Sequence, residues 1–202
     1  MTIRKWFWLF SSTLLWGMLS GLLAGLLLIG TNNEFTFFEV TKMGYDFQTL
    51  SFILLGGATF SVLSQMGFFS YLIVRYIAIG FVKNKRILEY MQVIVVAVAF
   101  FDLTYLSHRA FAKPGESWIQ FLGLPLILLV IALAVAYWKM KLTKPSGFIP
   151  TLLFMFVVTI LEAVPALKLN SPPSYFFMLT PLLICNAWQI LQLHRIIRNE
   201  NG

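Results

Sequence analysis

The sequence predicts an all-α fold, a polytopic membrane bundle of six transmembrane helices with the N- and C-termini cytoplasmic. Three observations predict it. Hydrophobic residues occupy 59% of the 202 positions and charged residues 11%, whereas charged residues make up about a quarter of an ordinary soluble domain. The apolar residues gather in runs close to the roughly 20 residues that a helix needs to cross hydrocarbon. The basic residues are concentrated in alternate connections, which sets orientation.

The runs lie at about 6–30, 50–76, 88–107, 119–138, 148–167 and 175–193, and residues 1–202 are expected to form a single integral membrane domain. The first run follows Arg4 and Lys5 as a signal peptide would. Its apolar stretch is longer than an h-region and lacks a small-x-small cleavage pattern, so it is read as a helix. With the N-terminus inside, eleven of the fifteen basic residues are cytoplasmic, among them Arg75, Lys83, Lys85, Arg86, Lys139, Lys141 and Lys144. Lys42, Arg109, Lys113 and Lys168 are left outside.

These cationic segments are short and separate, so they set topology and meet anionic headgroups of the lipid bilayer; no nucleic-acid partner is expected. Trp6, Phe7, Trp8, Trp118, Tyr137 and Trp138 cluster at run ends as interfacial anchors. The connection at about 31–49 carries NNEFTFFEVTKMGYDF and is too short for a core of its own. Its Phe35, Phe37, Phe38 and Val40 are expected to lie on the outer surface, facing lipid.

Gly17, Gly21 and Gly25 recur at four-residue intervals in the first run, a smooth face that another helix backbone can approach. Its partner is another helix of the chain, a second copy in a homo-oligomer, or a helix of a membrane partner. Gly57, Ser61 and Gln65 repeat the spacing in the second run, with Ser64 and Gly67 beside them.

Charge inside a run is the rarer signal. Asp102 and Glu162 stand within hydrocarbon-length runs, where an ionised acid at the helix centre costs roughly 2.5–3.5 kcal/mol on insertion scales. Each precedes a basic or imidazole residue by six positions, His108 and Lys168, so each lies about 9 Å of helix rise below the outer end of its span. Tyr105 and Thr159 share their helix faces. Pro165 leaves the carbonyl of Leu161 without its usual helical donor, next to Glu162, and Pro181 does the same to Phe177. Gln65, Asn186 and Gln189 add donors and acceptors deeper in the bundle, with interhelical hydrogen bonding as their ordinary role. The expected intramembrane polar site is therefore Asp102, Glu162, Gln65, Asn186 and Gln189.

No catalytic class is supported. There is no H-E-x-x-H pair, no G-x-S-x-G and no phosphate-cradling loop. Only one acid of the two is an aspartate, and Cys185 is the single cysteine. No metal and no cofactor are expected. The functional alternative is a small transporter, or an ion- or proton-binding membrane protein, that uses Asp102 and Glu162.

Four segments carry a family likeness: SQMGFFSYL (Ser64 to Leu72), FFDLTYL (Phe100 to Leu106), LEAVPALKLN (Leu161 to Asn170) and PLLICNAWQ (Pro181 to Gln189). In their order, with six spans and this length, the chain resembles the KinB-signalling pathway activation proteins, the KbaA family of spore-forming Bacillus-type bacteria. The resemblance covers nearly the whole chain and is weakest over residues 31–49 and the C-terminal tail. It implies a non-catalytic regulator in the cell membrane, needed for activation of the membrane sensor histidine kinase KinB, which feeds the sporulation phosphorelay. It supplies no catalytic or ligand residues. Two mechanisms follow: the polar residues are struts while a face such as Gly17–Gly25 binds kinase helices, or the acids bind a proton, cation or polar ligand whose occupancy reshapes the bundle.

Overall fold

The computed structural model describes residues 3–31, 47–112, 117–167 and 172–198. All regular structure among them is helical. The elements are α1 (Ile3–Thr31), α2 (Phe47–Phe81), α3 (Lys85–Phe111), a 3-10 turn (Trp118–Leu122) leading into α4 (Gly123–Leu142), α5 (Phe148–Leu153), a π-helical turn (Phe154–Val158), α6 (Thr159–Leu167) and α7 (Pro172–Arg198). Among the described residues six helical stretches are long and apolar enough to cross a membrane, the fourth and fifth of them composite. Most of the connection at 31–49, with its expected surface-lying aromatics, is outside the described residues.

Local chemistry accounts for the boundaries. The Asn84 side chain accepts from the Arg86 N–H at 3.0 Å and caps the start of α3. At the end of α4 the Thr143 hydroxyl and N–H both donate to the Lys139 carbonyl, at 2.8 and 3.1 Å. Pro145 then prevents the helix from continuing. Hydroxyls inside the apolar helices donate to their own backbone one turn back, as Thr13 does to Leu9 and Thr104 to Phe100. That pairing lets a hydroxyl sit in hydrocarbon without a partner from elsewhere.

Packing divides the chain into two compact units, residues 1–65 with 169–202, and residues 66–168. The first unit contains α1, the N-terminal part of α2, and α7. Its core joins Ala24, Leu28 and Ile29 to Ile53 and Phe177, with the Phe60 and Phe177 rings edge to face at 5.8 Å. Trp188 of α7 lies between Trp8 and Trp16 and donates through its indole N–H to the Ser12 hydroxyl at 3.0 Å.

The second unit contains the rest of α2, then α3 to α6. Phe154 is its centre, with Phe68 edge to face at 5.5 Å and Tyr71 at 4.9 Å. The Tyr71 hydroxyl donates to the Pro150 carbonyl at 2.9 Å, so a polar tip is satisfied at the edge of an aromatic cluster. Leu128, Ala132 and Ala136 of α4 are buried as one stripe. His108 stacks on Trp118 at 4.2 Å with the planes 8° apart, joining the end of α3 to the 3-10 turn.

Candidate functional site

The five polar residues singled out from the sequence do not fall in one unit. Gln65, Asn186 and Gln189 belong to the first, and Asp102 and Glu162 to the second. Each unit holds its polar groups by a different device.

In the first unit, Gln65 stands one turn after Ser61 on α2, and Asn186 and Gln189 stand three apart on one face of α7. All three amides are buried. The Ser64 hydroxyl donates to Asn186 Oδ1 at 2.7 Å and accepts from Gln189 Nε2 at 2.8 Å. Gln65 Nε2 donates to the Ser61 hydroxyl at 3.2 Å and to the Phe10 carbonyl at 3.3 Å. Ser64 thus ties two amides of α7 to α2, while Gln65 is held within α2 by Ser61 and reaches α1 at the Phe10 carbonyl. Gln65 Oε1 and Gln189 Oε1 are buried with no hydrogen-bond partner among the described residues, and an unmet buried acceptor costs about 1–3 kcal/mol.

The glycine face of α1 belongs to the same unit, and its neighbour is α2. A β-carbon on Gly21 would lie 2.7 Å from Gly57 Cα, one on Gly25 would lie 2.7 Å from Ile53 Cγ2, and one on Gly17 would run into Ser61 Cβ. Real side chains do not approach so closely, so Gly17, Gly21 and Gly25 are what lets the two backbones meet. Of the partners expected for this face, the structure supplies one from within the chain. The chain's own α2 covers it.

In the second unit, Glu162 occupies the first turn of α6, directly after the π-helical turn. Its Oε1 is buried against the α2 backbone at Gly67. A β-carbon on Gly67 would overlap Oε1 and come within 2.8 Å of Glu162 Cδ and 2.9 Å of Val158 Cγ1. Glycine at 67 is therefore the space in which the carboxyl sits. A π turn advances the chain by one residue more than an α turn, so it re-aims whatever follows; such turns occur often at functional sites. Here Phe154, Met155 and Phe156 are buried in succession just before Glu162.

Asp102 has a different setting. Its side chain is exposed on α3, and no hydrogen bond or ion pair to it is found among the described residues. Spacing from the run ends gave the two acids the same expected depth, but the structure gives them different environments. Among the described residues no three His, Cys, Asp or Glu side chains converge as a metal site would require.

Sequence reasoning missed Gly67 as the counterpart of Glu162, and it missed the π turn. The glycine was visible beside the small face of α2, but nothing in its local pattern pointed to an acid from 95 positions further on.

With this geometry, known proteins can be compared. Residues 17–196 match the KbaA family, described as KinB-signalling pathway activation in sporulation. A KinB-signaling pathway activation protein of Bacillus subtilis (strain 168) is 35% identical over 156 residues, which cover 77% of this chain and 79% of the relative. No solved structure matches the chain significantly. The extent of the family match and the identity to this relative lead to one conclusion: the chain belongs to the KbaA family.

Proposed function

We propose that the protein is a non-catalytic integral membrane regulator that promotes activation of a KinB-type membrane sensor histidine kinase, which feeds the sporulation phosphorelay. The observation that carries this reading is the family match over residues 17–196, whose description is activation of that pathway. Six apolar helical stretches of spanning length support a multi-pass place in the cell membrane. The distribution of basic residues supports cytoplasmic ends.

Within the bundle we assign the regulatory role to Glu162 rather than to the amides. The amides are neutral and tied to serine hydroxyls. Glu162 carries a titratable carboxyl, seated in a gap made by a glycine and placed by a π turn. A change in what that carboxyl binds would be felt by α2 and α6 together, the kind of local event that biases a helix arrangement. The seat also favours a second reading, an ion- or proton-binding membrane protein that uses Glu162.

Full-length kinase reconstituted in liposomes with and without the chain separates these readings. Faster kinase autophosphorylation with the chain present is the expected result. Unchanged autophosphorylation with both proteins inserted would reject direct activation. Cation or proton flux in vesicles holding the chain alone would favour the second reading.

A further inference from the structure

Lys139 stands on the last turn of α4, which ends at Leu142, yet only 6% of it is exposed. A lysine so near a helix end ordinarily extends its stem and keeps the ammonium in water. Lys139 instead continues the buried stripe of Leu128, Ala132 and Ala136, on the packed side of the helix. Its neighbours Tyr137 and Trp138 are exposed, and the Lys141 ammonium lies 4.6 Å over the Tyr137 ring. Exposed aromatic rings at the end of a span mark the headgroup level of a membrane.

A second cation acts on Lys139. The Arg75 guanidinium is close enough for the two charges to repel. Arg75 is half-buried and donates to the Tyr71 hydroxyl at 3.4 Å, which itself donates to the Pro150 carbonyl at 2.9 Å. Residues 75–89 and 139–148, at the expected cytoplasmic side of this unit, carry seven basic residues and one acid, Glu89. Two cations drawn together away from water cost free energy that a nearby anion offsets. Ammonium and guanidinium groups each offer several donors, so the pair can serve an outside anion as well as acceptors of the chain. A phosphate diester brings one negative charge and a terminal oxygen for each cation, at the depth that Tyr137 and Trp138 mark. Basic pockets between membrane helices on the cytoplasmic side hold such headgroups.

We propose that Arg75 and Lys139 hold the phosphate of an anionic phospholipid headgroup at the inner end of the second unit. The proposal rests on the membrane reading above, with its cytoplasmic ends, and adds to it a defined lipid site. The bound phosphate ties α2 to α4 by charge.

The test titrates the full-length chain, purified in neutral detergent, with phosphatidylglycerol, phosphatidylcholine or inorganic phosphate, and counts bound lipid by native mass spectrometry. Alkaline extraction of vesicles holding the chain first reports insertion. Saturable binding of phosphatidylglycerol, weak binding of phosphatidylcholine and no displacement by inorganic phosphate are the expected results. Lys139→Met and Arg75→Gln should each weaken phosphatidylglycerol binding roughly tenfold, the scale of one lost charge-assisted hydrogen bond. Lys139→Arg and a change at an exposed lysine, Lys144→Gln, should bind as the parent does. Thermal unfolding reports whether each variant is folded, and Arg75→Gln decides the outcome where Lys139→Met is not. Equal binding of the two lipids, unchanged binding in the folded variants, or an equal loss in Lys144→Gln overturns the site. Displacement by inorganic phosphate overturns the lipid as its occupant. Each of these leaves the membrane reading standing, whereas release of the chain by alkali overturns both.

Discussion

The two units place polar side chains among apolar helices in opposite ways. In the first, Gln65, Asn186 and Gln189 are neutral amides held by Ser61 and Ser64, beside a seam where Gly17, Gly21 and Gly25 bring two backbones together. In the second, an ionisable carboxyl is seated in the gap at Gly67 after a π turn. The first arrangement specifies which helices meet and at what register. The second, in the regulatory role proposed for Glu162, places a carboxyl where a change in its size or position is felt by two helices. Neutral networks suit permanent packing, and a seated acid suits response.

Gly21→Leu probes the first arrangement hardest. The obstructing atom is the Cα of Gly57, which cannot step aside as a side-chain tip would, so the loss should be about 3 kcal/mol, at the upper end for overpacking. Thermal unfolding in detergent measures it, and a near-neutral result would mean the α1 seam is not tight. Gly67→Ala should behave differently. Its nearest obstruction is the tip of Glu162, which can swing away, so stability falls by about 1 kcal/mol while kinase stimulation is largely lost. If stimulation instead tracks the amount of folded protein, the distinction between the two arrangements collapses.

Asn186→Leu removes the acceptor of the Ser64 hydroxyl. A loss of about 1–2 kcal/mol is expected, with stimulation per folded molecule unchanged, which activity normalised to folded protein checks. The mildest substitution is Tyr71→Phe. It deletes the bond to the Pro150 carbonyl and should cost near 0.6 kcal/mol, the average for a hydrogen bond between membrane helices. A loss several times larger in thermal unfolding would show that this tyrosine organises the second unit rather than finishing it.

The helices could be read from the chain because hydrocarbon imposes length. The expected run at 6–30 is α1 (Ile3–Thr31) and that at 88–107 is α3 (Lys85–Phe111). The observed ends go further because polar residues such as Lys85 continue backbone hydrogen bonding beyond the apolar stretch. Which face of each helix is packed could not be read. When every face is apolar, periodicity has nothing to contrast, so Asp102 and Glu162 looked equivalent although one is exposed and the other is seated against Gly67. The π turn was hidden for a related reason. Its residues FMFVV have the composition of any buried helix, and only packing on both sides reveals the extra residue.

The most direct test of Glu162 as the regulatory acid is kinase autophosphorylation in liposomes with Glu162→Gln at matched insertion. Glutamine keeps the shape and hydrogen-bonding capacity of the side chain but does not titrate. Loss of most of the stimulation, with thermal unfolding unchanged, is the predicted result, and full stimulation by Glu162→Gln would contradict it.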